Sequence, residues 1–68
     1  MSADDFKVGE KVHYKPNFGS PENGIVKSKH SYAKHFVFVV YSCGGDWENY
    51  QNYTAACTST ADLRKGWV

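Results

Sequence analysis

The chain has little of anything that announces a function. Eight Lys and Arg stand against seven Asp and Glu in 68 residues, for a formal net charge of +1. That is far from the positive excess that phosphate-backbone binding usually needs. There are two cysteines, Cys43 and Cys57, outside any Cys-x-x-Cys spacing, so neither a disulfide framework nor a zinc ribbon is indicated. Pooling them with His13, His30 and His35 supplies ligand types for a metal, but at none of the usual spacings, and the expectation is no metal and no cofactor. The longest apolar run is the six residues Phe36-Val37-Phe38-Val39-Val40-Tyr41, against about twenty for a membrane-spanning helix. The first residues, Met1-Ser2-Ala3-Asp4-Asp5, are acidic where a secretory leader is basic. The expectation is a cytoplasmic protein that does not enter membranes.

Aromatic side chains are what the sequence has in quantity: five Tyr, four Phe and two Trp, or 16% of the chain. So short a chain is near the lower limit for a self-sufficient core, so residues 1–68 form a single domain and the aromatics are core candidates first. Residues 1–5 are polar and expected to fray. Residues 6–14 alternate around Gly9, with Phe6 and Val8 in phase before it and Val12 and Tyr14 after it, which reads as a bent first strand entered through a turn. Residues 15–23 hold Pro16, Asn17, Gly19, Ser20, Pro21 and Asn23 and read as a loop ending in an Asn23-Gly24 turn with positive φ.

Residues 24–30 and 35–43 read as a second and a third strand joined by a tight hairpin. Phe36, Phe38 and Val40 share one face of the third, and Val37, Val39 and Tyr41 the other. Gly44-Gly45 breaks that strand. Trp47, Tyr50 and Tyr53 then follow at i, i+3 and i+6, with Asp46 placed as an N-cap; in a 3₁₀ turn their rings would eclipse. Residues 54–58 form a fourth short strand, residues 59–63 a helical turn and residues 64–68 a closing strand. The fold class is all-β, with about five antiparallel strands.

The segments Val8-Gly9-Glu10-Lys11-Val12, Glu22-Asn23-Gly24-Ile25-Val26, Val37-Phe38-Val39-Val40-Tyr41 and Ala61-Asp62-Leu63, in this order, resemble the SH3-like small β-barrel in its Tudor-like or KOW-like variants. The chain is also similar to short uncharacterised phage and prophage proteins that share the Glu-Asn-Gly-Ile-Val, Phe-Val-Val-Tyr and Tyr-Thr-Ala patterns. The resemblance implies a small barrel, and a phage-type accessory role on a host factor, without an established activity. The superfold hosts binding of methylated peptides, proline-rich peptides, nucleic acids and protein surfaces.

Two candidate surfaces follow. Tyr41, Trp47, Tyr50 and Tyr53 flank the turn after the third strand, where Tudor-like domains place the aromatic cage that holds a methylated cation. Asp46, Glu48 and Asn49 match the polar part of that motif loosely. The competing account is that the same rings close the end of a small core, with their polar tips in water. The second surface is residues 27–35, where Lys27, Lys29 and Lys34 occur with no acid and Tyr32 sits at the tip, the footprint of single-strand nucleic-acid binding. Lysines on an edge hairpin are equally ordinary solvated surface. No serine or cysteine is fixed beside a histidine, and no glycine-rich phosphate loop is present, so an enzyme is not expected. The leading expectation is a non-catalytic module binding a protein or peptide through Tyr41, Trp47, Tyr50 and Tyr53. The alternatives are nucleic-acid binding through Lys27, Lys29, Tyr32 and Lys34, and a structural protein that buries its aromatics against its own copy.

Overall fold

The computed structural model describes residues 2–68 and is all-β: five antiparallel strands in one sheet, interrupted by short 3₁₀ turns. The strands are β1 (Lys11–Tyr14), β2 (Glu22–Lys29), β3 (Phe36–Val40), β4 (Ala56–Ser59) and β5 (Leu63–Lys65), in the order β4-β3-β2-β1-β5. The first four run as a meander, and the chain then crosses back so that β5 lies beside β1. Three 3₁₀ turns complete it: η1 (Ala3–Asp5), η2 (Trp47–Asn52) and η3 (Thr60–Asp62). No helix among the described residues is long and apolar enough to cross a membrane.

One face of the sheet carries the core. Val12, Val26, Val37, Val39 and Leu63 project to that inner face and are fully buried together with Phe6, with Ala3 beside them and Tyr14 and Tyr41 packed at the margin. The β-branched residues do there what their stiffness suits them for, filling a pleated surface with little rotamer entropy to lose. The outer face is buried only in part. Ile25 and Val40 are cross-strand partners with little exposure, whereas Phe36, on the same side of β3 as Val40, is 40% exposed. Of the two faces expected to be apolar on the third strand, the inner is core throughout and the outer grades from core at Val40 to surface at Phe36.

Several boundaries differ from the sequence reading, each for a physical reason. Ala3–Asp5, expected to fray, form η1: the Ser2 amide donates to Asp5 Oδ2 at 2.9 Å, the Ala3 amide donates to the Lys34 carbonyl, and Ala3 is buried. Met1 lies outside the described residues. Phe6 and Val8 are not strand residues. The chain turns through residues 7–10, with the Glu10 amide on the Lys7 carbonyl at 3.0 Å and Gly9 at φ +89, so that Phe6 enters the core while Val8 faces solvent.

The Asn23-Gly24 pair is not a turn. It lies inside β2, paired with His13 and Val12, and Gly24 has no positive φ. Glycine is needed there for space: a Cβ would stand 2.6 Å from Val39 Cγ1, 2.8 Å from the Val40 carbonyl oxygen and 2.9 Å from Tyr41 Cδ1. Trp67, a core candidate like the other aromatics, is 36% exposed. It lies past β5, and its indole Nε1 donates to the Gly24 carbonyl at 2.8 Å.

Candidate functional site

The four aromatics of the leading expectation do not form one cluster. Tyr53 donates its hydroxyl to Asp46 Oδ2 at 2.9 Å, and that bond, with the repulsion it implies for a phenolate, pushes the phenol pKa up. Tyr50 stands over Gly9, where its hydroxyl oxygen would be 3.1 Å from an added Cβ. Trp47 packs on Trp67 with ring centroids 4.9 Å apart, and Lys11 Nζ caps Trp67 at 4.7 Å from its centroid. The eclipse that a regular 3₁₀ turn would give the three rings is broken where Asn49 departs from helical geometry (φ −106, ψ 27) and divides η2 into two bends. Asp46 does precede the turn, but its carboxylate bonds Asn49 Nδ2 and the Tyr53 hydroxyl rather than capping an amide.

The same elements explain why these rings are there. Trp67 is fixed across β2, and beyond it the Val68 amide donates to Asn23 Oδ1 at 3.2 Å while Asn23 Nδ2 donates to the Val68 carbonyl at 3.1 Å. Trp47 therefore closes a clasp that holds the last residues on the outer face. η2 is tied to β2 by Lys27 Nζ on the Tyr53 carbonyl at 2.6 Å and Gln51 Nε2 on the Lys27 carbonyl at 3.2 Å.

Tyr41 belongs to a different place. It follows β3 on the inner face and tilts against Tyr14 at 5.5 Å between centroids and 52° between planes. Its hydroxyl shares a 2.9 Å hydrogen bond with the Thr58 hydroxyl of β4. Burial raises the phenol to about 12, tempered by the Thr58 bond, with the neighbouring charges of Tyr14, Glu22 and Asp62 adding to the rise. Those carboxylates are placed by the fold. Glu22 is the cross-strand partner of Tyr14, and the Asp62 carbonyl receives the Lys15 amide at 2.8 Å directly after Tyr14. The one ion pair among the described residues is Lys65–Glu10, at 3.1 Å, so Glu22 and Asp62 have no cationic partner of the chain's own there. Two half-buried rings with two carboxylates nearby that make no ion pair form an electron-rich surface patch suited to a cation. Sequence reasoning found Tyr41 but missed Tyr14, Glu22 and Asp62. Tyr14 is a core candidate like every aromatic of so short a chain, and its partners are set by register and by the return of β5, which carry no sequence signature.

The basic hairpin is also redistributed. Lys27 and Lys29, two residues apart and so on one face of a regular strand, project to opposite faces because β2 bulges between Val26 and Ser28: Val26 pairs with Val39 but Ser28 with Phe38 and Lys29 with Val37. Lys27 is moreover engaged by Tyr53. Tyr32 is 92% exposed, edge-on to His30 at 6.5 Å, and His30 stacks on Phe38 at 5.8 Å. His30 Nδ1 accepts the amides of Tyr32 and Ala33 at 3.1 and 3.0 Å, which holds the loop that also carries Lys34. No three of the described His, Cys, Asp and Glu residues are grouped to hold a metal ion. Cys43 is buried and Cys57 exposed, and both are free thiols.

Comparison with known proteins adds no relative: no protein-family model, no curated protein and no solved structure matches the chain.

Proposed function

We propose that the protein is a non-catalytic binding module on an SH3-like small barrel, engaging a protein or peptide through an aromatic surface whose working centre is the Tyr14–Tyr41 pair. The sheet order, with a 3₁₀ turn leading into a last strand beside the first, supports the barrel reading. The observation that carries the function is the pairing of two tilted, half-buried rings with two carboxylates that no described cation neutralises. A lysine, arginine or methylated ammonium group of a peptide supplies the missing charge. Each ring face contributes about 0.5–1 kcal/mol at such partly exposed sites, and each carboxylate roughly 0.2–1 kcal/mol. One cationic side chain alone therefore binds no more tightly than roughly millimolar, and useful affinity needs further contacts along the peptide. Trp47, Tyr50 and Tyr53 contribute by holding the clasp and η2 in place.

The test is a titration of the ¹⁵N-labelled protein with lysine-, trimethyl-lysine- and arginine-containing peptides and with a norleucine peptide as the neutral counterpart. Shifts centred on Tyr14, Glu22, Tyr41 and Asp62 are expected with the cationic peptides, and they should vanish in Glu22→Gln with Asp62→Asn. Equal response to the neutral peptide would overturn the reading.

A further inference from the structure

The sheet has one edge prepared for solvent and one that is not. β5 ends one side and carries Arg64 and Lys65, with Lys65 bonded to Glu10 Oε2 and to the Asp5 carbonyl. Charge on an edge strand is the usual protection against pairing with another chain. β4 ends the other side, and residues 54–61, Thr-Ala-Ala-Cys-Thr-Ser-Thr-Ala, contain no charged residue, proline or glycine. Which main-chain groups of β4 point outward follows from its ladder with β3. The pairs Phe36↔Ser59, Val37↔Thr58, Phe38↔Cys57 and Val39↔Ala56 continue a bond from the Thr60 amide to the His35 carbonyl at 2.9 Å. Hydrogen-bonded pairs alternate in an antiparallel ladder, so Thr58 and Ala56 bond inward to β3, and Ala55 and Cys57 direct their N–H and C=O groups away from it, as Ser59 does its N–H, its carbonyl opening η3. No other described strand lies on that side.

We propose that this edge is self-complementary and that a second copy of the chain pairs with it, β4 against β4 and antiparallel, about a two-fold axis through Cys57. In that register Cys57 exchanges both main-chain bonds with its symmetry mate and the Ser59 amide donates to the Ala55 carbonyl, while the Ser59 carbonyl, which already opens η3 as its N-cap, has a second lone pair for the Ala55 amide. The choice of a second copy over a foreign strand rests on charge. A two-fold axis sets each residue of one edge near the same stretch of the other, and here neither stretch has a charge to repel its copy, while the whole chain carries only +1. Pairing through β5 would instead oppose Arg64 and Lys65 to their own kind, and pairing β4 to β5 would leave free edges and an open chain of molecules. Because the contact is a short strand pair, the dimer is weak and reversible. It goes beyond the peptide-binding reading, since the Tyr14–Tyr41 pair lies on the inner face and not on this edge.

Sedimentation equilibrium of the reduced protein from micromolar to millimolar concentration reads it directly. A monomer–dimer equilibrium is expected, retained in Cys57→Ser and weakened at least tenfold in Cys57→Lys, which sets two ammonium groups across the axis. Position 57 is exposed, so the substitution should leave the circular dichroism unchanged. Hydrogen exchange on the unmodified chain gives an independent reading: the amides of residues 55, 57 and 59 should slow as protein concentration rises while those of β5 do not. Treatment with diamide, which accepts the two electrons and two protons, should then trap a dimer joined through Cys57, since directly opposed residues in such a pair have Cα atoms about 5.5 Å apart, within disulfide reach. A monomer at all concentrations overturns the proposal, including the case in which the edge accepts an extended peptide from another protein. So does a dimer indifferent to Cys57→Lys.

Discussion

Gly24→Ala is the substitution in which the packing of the inner face can be read most sharply. The residue has ordinary extended backbone, so alanine brings no conformational penalty of its own and should even gain slightly from a less flexible unfolded chain. The cost comes from space. The new Cβ would lie 2.6 Å from a Val39 methyl, 2.8 Å from the Val40 carbonyl oxygen and 2.9 Å from the Tyr41 ring. The carbonyl belongs to β3, which is hydrogen-bonded on both sides, so relief to an ordinary contact needs that strand to move by roughly 0.6 Å. Overpacking of this kind costs about 2–3 kcal/mol. In a domain of this size that lowers the melting temperature by roughly 10–20 °C. The assay is thermal unfolding by far-ultraviolet circular dichroism, alongside Gly44→Ala, where a Cβ meets open space but φ is +61 and the cost is about 1–2 kcal/mol of backbone strain alone. A Gly24→Ala melt within about 4 °C of the parent, or a larger loss in Gly44→Ala, would refute the reasoning.

Tyr41 should titrate near its raised value of about 12 in an absorbance titration at high pH. Because its folded pKa lies above the unfolded value of about 10, the stability linked to the neutral phenol is whole below pH 10 and is lost as pH rises through 12; alkaline unfolding that ended below pH 10 would contradict this. His30→Ala should destabilise by about 1–2 kcal/mol in urea, because two loop amides lose their acceptor, and should speed hydrogen exchange at Tyr32 and Ala33 while leaving β1 unaffected. Lys27→Met should loosen η2, seen as faster exchange and a changed Trp47 emission, and should leave affinity for single-stranded nucleic acid unchanged at low salt; a loss of such affinity would support the basic-hairpin reading instead.

What the sequence made legible was set by periodicity. The alternation in residues 36–40 and the turn formers around it placed the strands of the meander, and the polar spacing of Trp47, Tyr50 and Tyr53 placed η2. Three features escaped because they depend on neighbours distant in the chain. Asn23-Gly24 is the residue pair a hairpin turn favours, yet here the glycine answers to Val39 and Tyr41 across the sheet. The bulge at Lys27 reverses which face Lys29 occupies, and nothing in Val26-Lys27-Ser28 marks it. Trp67 falls within residues 64–68, read as a closing strand, but β5 stops at Lys65 and Gly66, at φ +84, turns the indole onto the outer face. The aromatics, all core candidates by the size of the chain, divide in the structure. Phe6 belongs to the core, Trp47 and Trp67 to the clasp, and Tyr14 joins Tyr41 as the pair left with work to do.

The central claim is that Tyr14, Tyr41, Glu22 and Asp62 hold a cation, and the most direct measurement is the residue-resolved response to a simple one. Titration of the ¹⁵N-labelled protein with tetramethylammonium, against neutral tert-butanol as a control of similar shape, should give saturable shifts at residues 14, 22, 41 and 62 in the millimolar range, sensitive to salt and absent with the alcohol. Matching shifts from both compounds, or shifts centred on Trp47 and Trp67 instead, would contradict it.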